Sequence, residues 1–224
     1  MSSILRIAPV GPAVAKLACQ KWHYSRTVAA VAIARFGVWE RGRFIGVVIF
    51  GTGACPRIGG PFGLGSGLIC ELIRVTLDRH ETPVSRIIAI ALRLLRRSRP
   101  ALRLVVSFAD QGRGHAGGIY KAGNWIYIGT TKGDYRLLCP DGVIRHARSA
   151  NDLYPTTRGF TRIKELPKHK YLYPFDDAIR HAVAPLSKPY PRVASIDGDA
   201  PDNIQSGQGG SNPTATLDPP PEAT

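Results

Sequence analysis

Five consecutive residues, Trp22, His23, Tyr24, Ser25 and Arg26, bring together two aromatic rings, an imidazole, a hydroxyl and a guanidinium. Such rings stack on nucleobases, and arginine pairs with phosphate. The competing reading is a helix end plugged into the core by Trp22. Glu71 and Arg74 lie inside an otherwise apolar run, LICELIRVTL. A charge buried in a sheet has to be paired or put to use. Strand alternation predicts the two on opposite faces. Asp110 closes a second apolar run, LRLVVSFAD, at the strand end where α/β sheets place ligands. Its plainer reading is a turn residue. His115 and Tyr120 follow in GHAGGIYKAG, and then come Asn124, Trp125 and Tyr127. A carboxylate, an imidazole and a phenol so grouped could serve as base and acid in a group transfer. Tyr120 could equally be ordinary core packing.

The surrounding pattern predicts the elements that hold these groups. PVGPAVAKLACQKW suits a helix with an apolar stripe, and ARFGVWE and FIGVVIFG suit two strands around a tight turn at Gly42. LICELIRVTL and LRLVVSFAD are buried strands. ETPVSRIIAIALRLLRRSRP is the clearest helix. Thr82 is expected to cap it, Pro83 suits its first position, and Pro100 follows its end. Val84, Ile87, Ile88, Ala91, Leu94 and Leu95 form its apolar face, with Arg86, Arg93 and Arg97 on another. HAGGIYKAG is a short helix stopped by Gly123, and WIYIGTT a further strand. This order predicts a single α/β domain with a mixed central sheet flanked by helices.

Composition sets the class. The chain has 224 residues and a net charge of +14, long enough for one well-buried domain and a tail. From Ser187 onward there are two basic and five acidic residues among many Pro, Gly, Ser and Asn. Residues 187–224 are therefore expected to be a disordered acidic and polar tail. Residues 1–186, the expected catalytic domain, carry 28 basic and 11 acidic residues, a net +17. A compact domain that basic usually meets a polyanion, and nucleic acid is the leading candidate. Cys19, Cys55, Cys70 and Cys139 show no C-x-x-C spacing, so reduced buried thiols are expected and no metal is predicted. No apolar run reaches membrane-spanning length, and the start lacks signal-peptide order, which predicts a cytoplasmic protein with no membrane partner.

Two glycine-rich stretches invite a phosphate reading. Residues 59–67 lack a following G-K-[ST] and lead into a strand rather than a helix, so a mobile loop beside the site is expected. QGRGHAGG precedes a helix and could hold an anion, but it lacks dinucleotide-binding spacing.

The order CELIRVTL, PVSRIIAIALRLL, LVVSFAD, GHAGGIYKAGNW is similar to the GNAT acyltransferase core. More specifically, KWHYSR, FGVWERGRFIGVVIFG, CELIRVTLDRH with TPVSR, VSFAD and GHAGGIYKAGNWIYIG resemble the Mom family of phage proteins, over about residues 19–172. The resemblance implies a GNAT-like fold. It also implies a DNA hypermodification enzyme that converts the exocyclic amine of adenine in double-stranded DNA to a carbamoylmethyl amine, shielding phage DNA from restriction in the host cytoplasm. Such an enzyme must extrude its base. Trp22, His23, Tyr24, Ser25, Arg26, Asn124, Trp125 and Tyr127 are then the DNA- and base-binding candidates. Asp110 is the expected base, with Glu71 second. Tyr120 is the acid by analogy with the tyrosine of the fold's fourth helix, and His115 completes the proton-handling set.

Classical GNAT enzymes hold the coenzyme A pyrophosphate on an Arg/Gln-x-x-Gly-x-Gly/Ala loop. Here the corresponding connection, DRHETPVSR, has no glycine to allow a close backbone approach. The helix start remains, which leaves Thr82, Ser85, Arg86 and Arg74 as donor-binding candidates. The donor is expected to be glycyl-tRNA or acetyl-CoA, and tRNA would give the positive charge a second use. The other readings are a non-catalytic DNA-binding protein on a degenerate GNAT fold and an ordinary acetyl-CoA-dependent N-acetyltransferase.

Overall fold

The computed structural model describes residues 4–26, 31–53, 58–113 and 115–191. A seven-stranded sheet forms its centre, in the spatial order β1-β2-β3-β4-β5-β10-β6. These strands are β1 (Leu5–Pro9), β2 (Ala32–Glu40), β3 (Arg43–Gly51), β4 (Ile69–Leu77), β5 (Leu104–Asp110), β6 (Ile126–Thr130) and β10 (Lys168–Pro174). Every neighbouring pair is antiparallel except β4 with β5. The parallel pair needs a crossover, and helix α2 (Val84–Ser98) supplies it. The expected mixed α/β sheet with flanking helices is what the chain forms.

Two layers cover the sheet. On one face, helix α1 (Pro12–Trp22) sets Ala15, Ala18 and Cys19 on Val47 and Ile49 of β3. Farther along that face, α5 (Asp177–Val183) sets Ile179 and Val183 on Leu104, Val106 and Leu172. The other face carries α2 and the short α3 (Gly118–Ala122). Helix α2 buries Val84, Ile87, Ile88, Ala91, Leu92 and Leu95. Each such side chain removed from water is worth about 1.5–3 kcal/mol, so this helix anchors the domain. Leu92 shares the buried stripe, whereas Leu94 is only half-buried. Pro83 takes the N-cap place expected of Thr82.

Several elements exceed the sequence-based expectation. Strand β1 pairs with β2 at the sheet edge. Between β6 and β10 the chain forms a separate three-stranded sheet, β8-β7-β9, from β7 (Tyr135–Leu138), β8 (Ile144–His146) and β9 (Thr161–Lys164). Helix α4 (Ala147–Leu153) accompanies it, and Leu137, Cys139 and Ala150 form its small core. Strand β10 then returns to the middle of the main sheet between β5 and β6.

The loop expected to be mobile is packed instead. Within 58–68, two 3-10 turns seat Ile58 and Leu64 in the core beneath α5. Residues just beyond 186 also contact the main sheet. Lys188 donates its backbone N–H to Tyr127 O at 2.8 Å, and the Tyr190 ring packs against Tyr127 and Tyr171. The tail from residue 192 lies outside the described residues. Cys19, Cys70 and Cys139 are buried free thiols, and Cys55 lies outside the described residues. Among the described residues no helix is long and apolar enough to cross a membrane.

Candidate active site

The parallel ladder between β4 and β5 is short. It runs from Ile69 opposite Leu104 to Leu72 opposite Ser107 and then ends. The remainder of β4, Ile73–Leu77, and of β5, Phe108–Asp110, continue without pairing to each other. A bulge accompanies the parting. Across β3, Leu72 faces Phe50 and Arg74 faces Ile49, so Ile73 is an extra residue in the strand. The bulge overturns the expected alternation. Phe50 belongs to the core under α2, whereas Ile49 belongs to the core under α1. Glu71 and Arg74 therefore share the α1 face instead of pointing to opposite sides.

Helix α1 delivers His23 to this place. His23 is only 7% exposed, and its Nδ1 accepts from the Ser25 N–H at 3.1 Å and contacts Ser25 Oγ at 2.7 Å. Burial first, then the positive charge of Arg74, then His115, lower its pKa to about 4. His23, Arg74 and His115 thus meet in space. His80, on the far side of β4, instead contacts the Thr82 carbonyl at 3.0 Å. Arg74 donates Nη1–H to Ile73 O at 2.9 Å, while its buried Nε has no hydrogen-bond partner among the described residues. Glu71 is half-buried, and the backbone closes over it at Gly53: a Cβ there would lie 2.9 Å from Glu71 Oε2. Asp110 ends β5 half-buried and accepts the Gly112 N–H at 3.0 Å, and its carbonyl takes the His115 N–H at 3.2 Å. Among the described residues no group of three His, Cys, Asp or Glu side chains is placed to hold a metal ion.

Tyr120 lies beneath the point of parting, on the α2 face. Its hydroxyl is 2.8 Å from Ser107 Oγ, and Ser107 donates to the carbonyl of Leu72 at 3.1 Å. Its ring stacks on Tyr171 at 4.5 Å and meets Trp125 edge-on at 5.1 Å. Burial pushes the phenol up to about 12, and nearby Glu71 adds to the rise. Gly117 makes this packing possible. Its φ is +79°, and a Cβ would come within 2.1 Å of the Tyr171 hydroxyl, so no other residue fits there. Ser107 and Tyr171 escaped the sequence reading. The signal was a lone hydroxyl in LVVSFAD and a tyrosine in KYLYPF, and both look like ordinary strand residues.

Several candidates are held elsewhere. Trp22 packs against Phe44 at 5.9 Å as a plug under α1. Trp125 is 1% exposed and Tyr127 is buried, with its hydroxyl 2.9 Å from His169 Nδ1. Neither can offer a ring face to a base. Asn124 has φ +56° and turns the chain out of α3, an asparagine role needing no ligand. Arg26 caps α1 by donating to Gln20 O and Lys21 O at 2.8 and 2.9 Å. Tyr24 is the most accessible of the stacking candidates. It is 44% exposed, with its ring 4.3 Å from that of His23.

The expected donor turn is already engaged. Glu40, buried at the end of β2, accepts the N–H of Glu81 and of Thr82, each at 2.8 Å, and the Thr82 hydroxyl at 2.5 Å. Burial opposes its charge, but the Thr82 hydroxyl and the two amides outweigh it and hold the carboxyl below its usual pKa. The protein's own anion thus occupies the donors just ahead of α2. These two amides and this hydroxyl are therefore not free to receive a coenzyme A diphosphate. Ser85 is half-buried and Arg86 exposed on the first turn of α2.

The α/β domain thus parts its two parallel strands beside a cluster of polar side chains that includes His23, Arg74 and Asp110. Solved structures similar to the chain are acetyltransferases. A probable acetyltransferase from Staphylococcus epidermidis matches with 7% identity over 77% of this chain and 99% of that one, at a TM-score of 0.46. An aminoglycoside acetyltransferase in complex with coenzyme A and kanamycin matches with 11% identity over 81% and 98%, at a TM-score of 0.44. The chain belongs to the Mom protein family, which it matches over residues 4–192. The methylcarbamoylase mom of Escherichia phage Mu is 30% identical over 154 residues. That match spans 67% of this chain and 63% of the phage Mu protein.

Proposed function

We propose that the protein is a transferase that modifies adenine in DNA, joining a glycyl unit to the exocyclic amine and rearranging it to a carbamoylmethyl group. The observation that carries this reading is the family match over residues 4–192, which spans every residue of the candidate site. The net charge of +17 on residues 1–186 supports a polyanionic substrate. The engagement of Glu40 at the turn before α2 favours a donor without a diphosphate there, and so an aminoacyl-tRNA over acetyl-CoA.

The chemistry balances with a glycyl ester and nothing else. Adenine's exocyclic nitrogen attacks the ester carbonyl, the carbon–oxygen bond breaks, and the departing ribose oxygen takes a proton. The resulting glycyl amide carries a free amine. That amine adds to ring carbon six through a five-membered spiro intermediate, and the bond from carbon six to the original nitrogen breaks. The original nitrogen leaves as the terminal carboxamide, giving ring–NH–CH2–CO–NH2. Asp110, with Glu71 second, takes the proton from the attacking amine. Tyr120 keeps its proton at neutral pH and so serves as acid rather than base. Tyr24 stacks on the extruded base.

The test is reconstitution with duplex DNA and either glycyl-tRNA or acetyl-CoA, followed by nucleoside mass spectrometry. Glycyl-tRNA is expected to give deoxyadenosine heavier by one C2H3NO unit. An acetyl gain with acetyl-CoA would replace the glycyl route by ordinary acetylation. Tight DNA binding with unchanged nucleosides would favour the non-catalytic reading.

A further inference from the structure

His23 is held in a single tautomer. A backbone amide can only donate, so the Ser25 N–H at 3.1 Å requires a lone pair on Nδ1. Ser25 Oγ, 2.7 Å from the same atom, must then donate as well. The neutral ring therefore carries its proton on Nε2. Protonating Nδ1 would set its N–H against the Ser25 amide N–H, in a ring faced by Arg74 from β4, by His115 from the segment after β5 and by the tilted Tyr24 ring. The imidazole stays neutral through the physiological range, with a pKa lowered to about 4.

The Nε2–H is then the ring's one N–H donor, on a side chain more than nine-tenths buried. The neighbouring Arg74 Nε–H is buried with no hydrogen-bond partner among the described residues. Buried donors are nearly always satisfied. That unspent donor beside the gap between β4 and β5, with the His23 Nε2–H near it, marks the place where a ligand oxygen belongs.

We propose that His23, fixed by Ser25 as the Nε2–H tautomer, donates together with Arg74 to the oxygen of the acyl carbonyl as it becomes an oxyanion. The role rests on the acyl-transfer reading above. In that step the amine nitrogen bonds to the carbonyl carbon and the carbonyl π electrons move onto oxygen, where His23 and Arg74 hold them. Collapse restores the carbonyl and expels the ester oxygen, which leaves with a proton. His23 neither gains nor loses a proton. Ser25 is a positioning residue that acts only through the ring.

The experiment combines a tautomer readout with kinetics on the full chain. Long-range proton–nitrogen correlation on protein labelled with 15N-histidine is expected to show the Nε2–H pattern for His23 from pH 5 to 8. Ser25→Ala removes the hydroxyl contact but keeps the residue-25 amide on Nδ1, so the Nε2–H pattern should weaken without disappearing. His23→Ala should lower turnover by about 10²–10³-fold. His23→Gln, which keeps an N–H donor and gives a second variant if alanine disturbs folding, should recover much of the loss with an unchanged pH profile. An Nδ1–H pattern, or an imidazolium at pH 6.5, overturns the assignment while leaving the transfer reading intact. So does a His23→Gln protein that melts like wild type yet is as inactive as His23→Ala. Wild-type protein that keeps the tautomer but transfers nothing to DNA overturns the transfer reading, and with it this role.

Discussion

The hydroxyl of Tyr120 lies 2.8 Å from that of Ser107, and Ser107 donates its own proton to Leu72 O, at the last residue where β4 and β5 are paired. This two-hydroxyl relay ends where the sheet opens. Tyr120→Phe keeps the ring packing on Tyr171 and Trp125 and removes only the relay. Turnover is expected to fall by about 10²–10⁴-fold, with a stability cost of about 0.5–1.5 kcal/mol. Alkaline unfolding supplies a second readout. The folded phenol is raised to about 12, above an unfolded value near 10. Its contribution is therefore complete below pH 10 and is lost as the pH rises toward 12. Urea melts across that range should show a smaller alkaline loss in Tyr120→Phe than in wild type.

Glu40 ties the end of β2 to the turn before α2. Glu40→Ala strips the Glu81 and Thr82 amides of their acceptor and should cost about 2–4 kcal/mol in chemical denaturation. The Glu40 carboxyl titrates below its usual range when folded. Its stabilisation is present above the unfolded carboxyl pKa and lost as the pH falls through the folded one. Glu40→Gln should flatten that acid limb. By removing a charge from the turn where a diphosphate would sit, it should also tighten coenzyme A binding in calorimetric titration. Equal affinity in the two proteins would place any coenzyme A elsewhere.

The two ends of the proposed base-binding set behave differently. Tyr24→Ala should leave the melting temperature unchanged and weaken binding of the extruded base by about 1–3 kcal/mol. Trp125→Ala should do the reverse, costing about 3–5 kcal/mol of stability, because Trp125 is a core residue. Binding to duplexes carrying a mismatched adenine, measured beside thermal melts, separates the two. A Tyr24→Ala protein that binds such duplexes like wild type would remove Tyr24 from base capture.

The sequence made the helices and strands around the gap legible wherever periodicity was strong. The α2 stripe from Val84 to Leu95 and the β2–β3 hairpin at Gly42 are examples. It gave little sign of β1 or β10, whose strand character comes from partners distant in sequence. Local reading also failed at Ile73, where one extra residue brings Glu71 and Arg74 to the same face. Composition pointed to Trp125 and Tyr127 as base-binding residues, because aromatics suit a core and a ligand equally well and only burial separates the two. The pentapeptide at 22–26 held more than stacking. The Ser25 contacts that set the His23 tautomer depend on backbone geometry that residue types do not encode.

Helix α2 contains no acidic residue, and its Arg86, Arg93 and Arg97 are exposed. If this face meets a phosphate backbone, replacing all three by glutamine should reduce the salt slope of binding by up to about 0.9 per lost contact on duplex DNA, or about 0.7 on a single strand. Titrations with duplex DNA and with tRNA over a salt series identify which polyanion uses the helix. An unchanged slope for both would assign the face to solvent.

The central claim is that a glycyl unit is transferred to adenine and then rearranged. The direct measurement places 15N on the exocyclic nitrogen of adenine in a DNA duplex, treats it with the protein and glycyl-tRNA, and locates the label in the product nucleoside by tandem mass spectrometry. The account predicts the label in the terminal carboxamide, lost with that group on fragmentation. A label that stays on the nitrogen attached to the ring would contradict the glycyl route, because it would mean that the carbamoylmethyl group was added to the amine directly.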